Sequence, residues 1–383
     1  MVAPVFINRI SASLPHDPVD NEQMEARLGR VGGKPSRARK LVLRRNGIQQ
    51  RHYVIDPQTG EPSMTNAQLS AAAIRGLVGD GFTLGSLDCL VASTSSPDQV
   101  MPGHGVMVHG ELGNPPCEVA TTAGICLCGM TALKYAWMSV ASGESRNAVA
   151  CGSEVASTLM QARNFNAEYE SRVEELENHP EIAFEKDFLR WMLSDGAGAV
   201  LLQDRPNASG LSLRVDWLDI LSFADQMPAC MYAGAEMQDG SLRGWSRYDA
   251  DERARHSLMA IKQDVKLLND NIVKYTVVEA LRRIMARREL RVADIDWFLP
   301  HYSSEFFRER LATGLAEVDL AIPMARWFTN LTRKGNTGGG VDLHHPRRTV
   351  QRRAAAQRSE TALLRAGKRS FLQCIHAPHG GRQ

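Results

Sequence analysis

The chain has 383 residues, more than one compact core usually holds, so two domains or two fused halves are expected. Hydrophobic residues make up 43% and charged residues 23%, the proportions of a soluble globular protein, which excludes a disordered or fibrous chain. The formal charge of +2 indicates no nucleic-acid or membrane partner, although residues 341–383 carry nine Lys/Arg against two Asp/Glu, a net of +7 that leaves −5 for residues 1–340.

Seven cysteines, at 89, 117, 126, 128, 151, 230 and 374, are an odd number at irregular spacing. That suits a reducing compartment better than a disulfide framework. The first residues lack a charged segment followed by an apolar one, and no window offers 18 uncharged apolar residues, so a cytoplasmic protein without signal peptide or membrane span is expected.

In chain order, residues 3–14 read as a first strand, and Asn21 is a candidate cap for a short helix. The basic stretch of residues 32–45 reads as a solvated face. Residues 65–79 have helical spacing of Leu69, Ala72, Ala73 and Leu77 and end in glycine. Residues 88–94 form a short buried strand, residues 102–113 another helix, and residues 147–152 a further strand. This alternation predicts an α/β protein with a parallel sheet covered on both faces.

Between those strands lies a run of small residues ending in Cys126, then a helix. Leu127, Met130, Leu133, Tyr135, Ala136, Trp137 and Val140 leave it almost no polar face, so it belongs inside a large protein and is too short and interrupted to span a membrane. A cysteine at the first turn of such a helix faces unpaired amides and the positive end of the helix dipole, which favour the thiolate. Against this, most buried cysteines are inert and simply pack. Cys126 and Cys128 make a Cys-x-Cys pair, but no second pair or histidine stands at zinc-finger spacing; no metal is expected, and Cys128 is read as packing.

Residues 155–194 read as a charged, mostly helical insertion, either a surface hairpin or a lid or dimer element whose Phe165, Phe184, Phe188, Trp191 and Met192 wall a pocket. Residues 195–202 read as a tight turn feeding a strand. Its glycines precede the strand, so they are not a nucleotide fingerprint and instead serve close backbone packing. A second half begins near Gly210, with strands at 213–221 and 295–300 and helices at 257–288, 303–314 and 321–330. The expected division is therefore 1–209, 210–340 and a basic irregular tail, 341–383. His301 follows the apolar strand and precedes a helix, where α/β sites tend to lie. Asn336 stands in a glycine-rich loop, where a turn role is also natural.

These landmarks together resemble one family. From Cys126 through Ala132-Leu133, Ser142-Gly143 and Gly152-Ser153-Glu154, the segment aligns without a gap with the nucleophile region of 3-ketoacyl-carrier-protein synthase III, in the thiolase superfamily. Arg45-Asn46-Gly47-Ile48, continued by Gln49-Gln50-Arg51-His52, is similar to its R-T-G-I-x-x-R-H stretch. Asp195-Gly196-Ala197-Gly198-Ala199, Pro300-His301 and Gly335-Asn336-Thr337 match further motifs in the family's order. The resemblance covers residues 1–340 and stops near residue 339.

It implies a five-layer αβαβα fold of two similar halves and a condensing activity. In that reading a Cys126 thiolate takes an acyl group from a thioester, while His301 and Asn336 hold the thioester oxygen and the enolate of the second substrate. Arg45 would contact the pantetheine nucleotide or the carrier protein. Leu41 stands where the coenzyme A-binding enzymes have an adenine-stacking tryptophan, which favours an acidic carrier protein over coenzyme A as the donor. No cofactor is implied. The implied partners are acyl thioesters on acyl carrier protein or coenzyme A and a second copy or a similar subunit.

Two departures qualify this. Tyr302-Ser303-Ser304 replaces the family's Gln-Ala-Asn, which is closer to divergent relatives of dialkylresorcinol and aryl polyene pathways that join two acyl thioesters. After Gly338 the alternating apolar pattern stops, and the chain becomes rich in Arg, Ala and His. Plausible codons for His344 to Gln351, read one base displaced, spell an apolar strand and an acidic helix start, so a reading-frame shift near Gly339 is expected. A basic nucleic-acid-binding tail is the rival, though it lacks interleaved aromatics. Three functions stay open: a carbon-carbon bond-forming synthase, an acyltransferase to a hydroxyl or amine, and a non-catalytic or defective subunit.

Overall fold

The computed structural model describes residues 3–36, 39–171 and 189–338. The proposed tail at 341–383, and Phe184 and Phe188 of the insertion, lie outside the described residues.

A six-stranded mixed sheet is built from β1 (Phe6–Ser13), β2 (Cys89–Ser93), β3 (Glu118–Thr122), β4 (Asn147–Glu154), β5 (Gly196–Gln203) and β6 (Leu213–Arg214). Its order is β3-β2-β4-β5-β1-β6. β2 runs parallel to both β3 and β4, while β5 is antiparallel to β4 and β1. In the parallel part Ser93 stands opposite both Thr122 and Gly152, so the carboxyl ends of the three strands share one edge.

Side-chain alternation explains how the sheet is covered. Cys89, Val91, Ala148, Ala150, Val200 and Leu202 pack on one face against Leu127, Met130, Leu133, Ala136 and Val140. Leu90, Ala92, Val149, Cys151, Ala199 and Leu201 pack on the other, against Leu69, Ala73, Ile74, Val108 and Leu112. The helix expected over 65–79 stops at Arg75, with Gly76 as its cap, and that expected over 102–113 is His104–Leu112. Asn66–Arg75 is closed by a capping box between Thr65 and Gln68, and His104–Leu112 ends at left-handed Gly113.

The helix Cys128–Ser142 differs from expectation in two ways. The run Ile125–Ser142 is 18 residues at mean hydropathy 1.2, long and apolar enough to cross a membrane, so length does not exclude a span; its packing on the sheet does. Nor is it buried all round: Met138 is 46% exposed and Tyr135 and Trp137 are half-buried, because the helix covers one face of the sheet and leaves its far side open.

Several expectations fail at element ends and in the second half. Gln23 flanks the helix Met24–Leu28, and Asp20 accepts from the Glu22 and Gln23 amides in place of an Asn21 cap. The glycines of 195–202 lie inside β5 with no turn before them. The packing argument holds nonetheless, since a Cβ on Gly196 would meet Leu14 and Thr337 at 3.0 Å. The strand expected at 213–221 shrinks to Leu213–Arg214 and joins the first sheet beside β1. At 295–300 there is a single parallel bridge, Phe298 to Trp327, reinforced by their edge-on rings at 4.9 Å. A lone bridge with no described neighbour is not a sheet. Among the described residues the second half carries two short antiparallel ribbons, Ala235–Gln238 with Ser241–Gly244 and Met231–Tyr232 with Lys262–Gln263, and these are smaller than the first-half sheet.

The helix expected over 257–288 begins at Val265, capped by Asp264, runs to Val273, passes through a π-helical turn at Lys274–Glu279 and ends as Ala280–Met285. The helix Arg308–Ala316 matches expectation; that of 321–330 is a 3₁₀ turn, Met324–Arg326, followed by Leu331–Lys334.

Candidate active site

Past the end of β3 the chain turns sharply. Ile125 has φ +52°, a left-handed conformation that a β-branched side chain resists. The strain is held by the Ile125 amide donating to Ser95 Oγ at 2.6 Å and by the Leu127 amide donating to Gly124 O at 2.9 Å. Cys126 therefore sits in a 3₁₀ turn, Ile125–Leu127, just ahead of the helix and not in its first turn. It is half-buried. No disulfide forms among the described residues.

His301 follows Pro300 and precedes the 3₁₀ turn Glu305–Phe307. Its Nδ1 is buried with no hydrogen-bond partner among the described residues, and burial lowers its pKa to about 4. The ring is thus neutral through the neutral range. Asn336 is buried and clamped by the segment before β5: its amide donates to Met192 O at 3.1 Å and its carbonyl accepts from the Ser194 amide at 2.9 Å. Its Oδ1 accepts from the Gly338 amide at 3.0 Å, so the donor side of the carboxamide is what it can offer a ligand.

Cys126, His301 and Asn336 line one cavity of about 1150 Å³, open mouth included, whose walls are mostly apolar: Met192, Met231, Ile272, Val277, Phe298 and Phe307. A thiol, a neutral imidazole and a carboxamide in an apolar pocket suit covalent acyl transfer and the stabilisation of a developing oxyanion.

Arg45 is not on this cavity. It is exposed at the end of the helix Arg39–Asn46, and its carbonyl accepts from Ser304 Oγ at 3.4 Å, next to Tyr302 and Ser303, which do line the cavity. Residues 172–188 of the insertion, which include most of its expected helical hairpin, lie outside the described residues. Phe165 and Trp191 are buried against the Arg190 guanidinium, at 5.8 and 5.0 Å from their ring centres, and of the three named residues that are described, Phe165, Trp191 and Met192, only Met192 reaches the cavity. An aromatic pair flanking an arginine reads as a pocket wall in sequence, yet here it serves a cation–π core.

No family model matches the chain. A sequence relative, beta-ketoacyl-[acyl-carrier-protein] synthase III of Rhodobacter capsulatus, is 22% identical over 337 residues, covering 88% of this chain and 87% of the relative. Among solved structures, a tetronic acid condensing enzyme superposes with TM-score 0.68 at 20% identity, over 91% of this chain and 92% of the other. The 3-oxoacyl-(acyl carrier protein) synthase III of Pseudomonas aeruginosa PAO1 gives 0.64 at 18% identity, over 91% and 90%. OleA of Xanthomonas campestris gives 0.62 at 18% identity, over 92% and 91%. The chain is synthase III-like. Its fold is the thiolase-type fold of these proteins.

Sequence reasoning passed over two carboxylates of this synthase III-like chain. Asp195, ahead of β5, accepts from the Val54 amide at 2.7 Å and from the Ser157 amide at 2.8 Å, and burial raises its pKa to about 6. Glu154, the last residue of β4, is buried behind the Cys126 turn with its pKa raised by burial to about 7. The signal was present: an acidic residue closing an otherwise buried, largely apolar strand, inside the Gly152-Ser153-Glu154 motif. Its partners, however, come together only in the fold.

Proposed function

We propose that this protein is a condensing enzyme of the 3-oxoacyl-carrier-protein synthase III type, joining two acyl thioesters through a carbon-carbon bond. The carrying observation is that Cys126, His301 and Asn336, from distant parts of the sequence, line one apolar cavity. In the first step the Cys126 thiolate attacks the thioester carbonyl; a carbon-sulfur bond forms to Cys126 and the carrier leaves as its thiolate. In the second, another acyl thioester loses its α-proton, which balances the carrier thiolate of the first step as a free thiol, and the resulting enolate carbon attacks the acyl-Cys126 carbonyl. The new carbon-carbon bond expels the Cys126 thiolate and leaves a 3-oxoacyl thioester. Neutral His301 and the Asn336 amide supply donors to the enolate oxygen, a task that needs no charge on the imidazole.

Tyr302-Ser303-Ser304 after the histidine supports a second substrate that is itself an acyl thioester, as in dialkylresorcinol-type pathways, over a decarboxylated malonyl group. Half-buried Leu41 and exposed Arg45 on one helix support a protein-borne donor, with Arg45 outside the cavity as a contact for the carrier. The working unit is proposed as a dimer in the cytoplasm, each chain divided at 209/210 and 340/341. Incubation with a panel of acyl-carrier-protein and coenzyme A thioesters, followed by product analysis, tests the proposal. A product with a lengthened carbon skeleton is expected; an ester or amide of the transferred acyl group instead would establish simple acyl transfer.

A further inference from the structure

The turn bearing Cys126 and the turn bearing Asn336 come from different halves of the chain, and one buried side chain touches groups that hold each of them. Glu154 Oε1 accepts from the Ser95 amide at 2.9 Å; Oε2 accepts from Ser96 Oγ at 2.6 Å and Thr94 Oγ1 at 3.3 Å. The Cys128 thiol also lies against this carboxylate. On the nucleophile side, Ser95 Oγ accepts the Ile125 amide and stands 3.3 Å from Cys128 Sγ. A hydroxyl that accepts from an amide keeps its own proton to give, here to the Cys128 sulfur. On the other side, Gly338, at φ +53°, approaches so closely that a Cβ there would lie 2.7 Å from Glu154 Cγ, and its amide is the one that fixes the Asn336 carboxamide.

We propose that Glu154 is a positioning residue that registers the two turns against each other without touching Cys126 or Asn336 directly, acting on Cys126 through Ser95 and Cys128 and on Asn336 through Gly338. This rests on reading Cys126 as the reactive thiol but needs no condensation to be tested. The donors around the carboxylate, two hydroxyls, an amide and a thiol, are all best used by its ionised form. The titratable group facing it is Cys128, whose own pKa burial pushes up; the Thr94-Ser95-Ser96 loop, Val155 and Gly338 complete its surroundings. With its pKa at about 7, Glu154 changes charge inside the neutral range.

The test is the rate at which iodoacetamide alkylates Cys126 in the full chain, located by peptide mass mapping, from pH 5.5 to 9. The wild type is expected to show two ionisations, that of the thiol and a second near neutrality. Glu154→Gln should lose the second and react about tenfold more slowly at pH 8, the factor a lost charge-assisted hydrogen bond carries; Glu154→Asp, which restores the charge, should regain the second ionisation. A Glu154→Gln profile superimposable on the wild type overturns the proposal. Should that variant not fold, Ser95→Ala, at an exposed position, is read instead: a rate about tenfold lower supports the relay and an unchanged rate overturns it. Slowed alkylation in a protein that accepts no acyl group from any thioester would leave this positioning role intact and remove the condensing reading. Equal acylation and equal pH profiles in wild type and Glu154→Gln would do the reverse.

Discussion

Ile125 shows how local strain and reactivity are tied together. A β-branched residue held at positive φ by one hydroxyl turns the chain so that the next side chain, Cys126, faces the cavity. His301 contributes something different, a neutral ring in a dry wall. His301→Ala should leave the acyl-Cys126 adduct forming, because attack on the first thioester needs only the thiolate, while the carbon-carbon product falls by roughly 10² to 10³-fold, the cost of an oxyanion donor. Intact-mass measurement and product analysis on the same sample separate the two steps. Cys126, His301 and Asn336 were legible because each sits in a short motif whose neighbours are as informative as itself. Arg45, expected from its motif as a contact for the pantetheine nucleotide or the carrier protein, lies outside the cavity and exposed. Glu154 was visible only as a motif member and Ser95 not at all: the contacts that give them a role join residues dozens of positions apart across strand ends.

At the scale of elements, the helix Cys128–Ser142 is the piece on which the site stands, and its two faces differ in consequence. Leu133 is 1% exposed between this helix and the sheet, so Leu133→Ala should cost about 2 to 5 kcal/mol of unfolding free energy in urea titration. Met138→Ala, on the open face, should cost about 0.5 kcal/mol or less. The helices found near their expected bounds have ends with their own chemistry, the Thr65 capping box, left-handed Gly113 and left-handed Gly143, although that of 65–79 stops early at Gly76. The strands misread at 213–221 and 295–300 have apolar β-type sequences but take their form from neighbours. Leu213–Arg214 found one in β1, and Phe298 found only Trp327. The open side of the helix was missed for a related reason, because periodicity reports which residues are apolar and not what is available to cover them.

For the whole molecule, buried titratable groups impose opposing pH dependences. Asp195, at about 6, keeps in the fold a proton that the unfolded chain releases at lower pH, so the stability it contributes is present below the ordinary carboxylate range and is lost as pH rises through about 6. His104, lowered to about 4 by burial, refuses a proton that the unfolded chain takes, so stability is lost as pH falls from the ordinary imidazole range toward about 4. Calorimetry of Asp195→Asn and His104→Asn against the wild type, at pH 5 and pH 8, should therefore give difference slopes of opposite sign. The asparagine at 195 becomes relatively more stable as pH rises and that at 104 as pH falls, each by about 2 kcal/mol. Parallel slopes would contradict the assignment of either group.

The most direct test of the central claim is the intact mass of the protein after incubation with an acyl-carrier-protein or coenzyme A thioester, with Cys126→Ala alongside. A single acyl increment that maps to Cys126 in the wild type and is absent from the variant is the predicted result. An increment that persists in Cys126→Ala, or a wild type that gains no mass from any thioester offered, would contradict it.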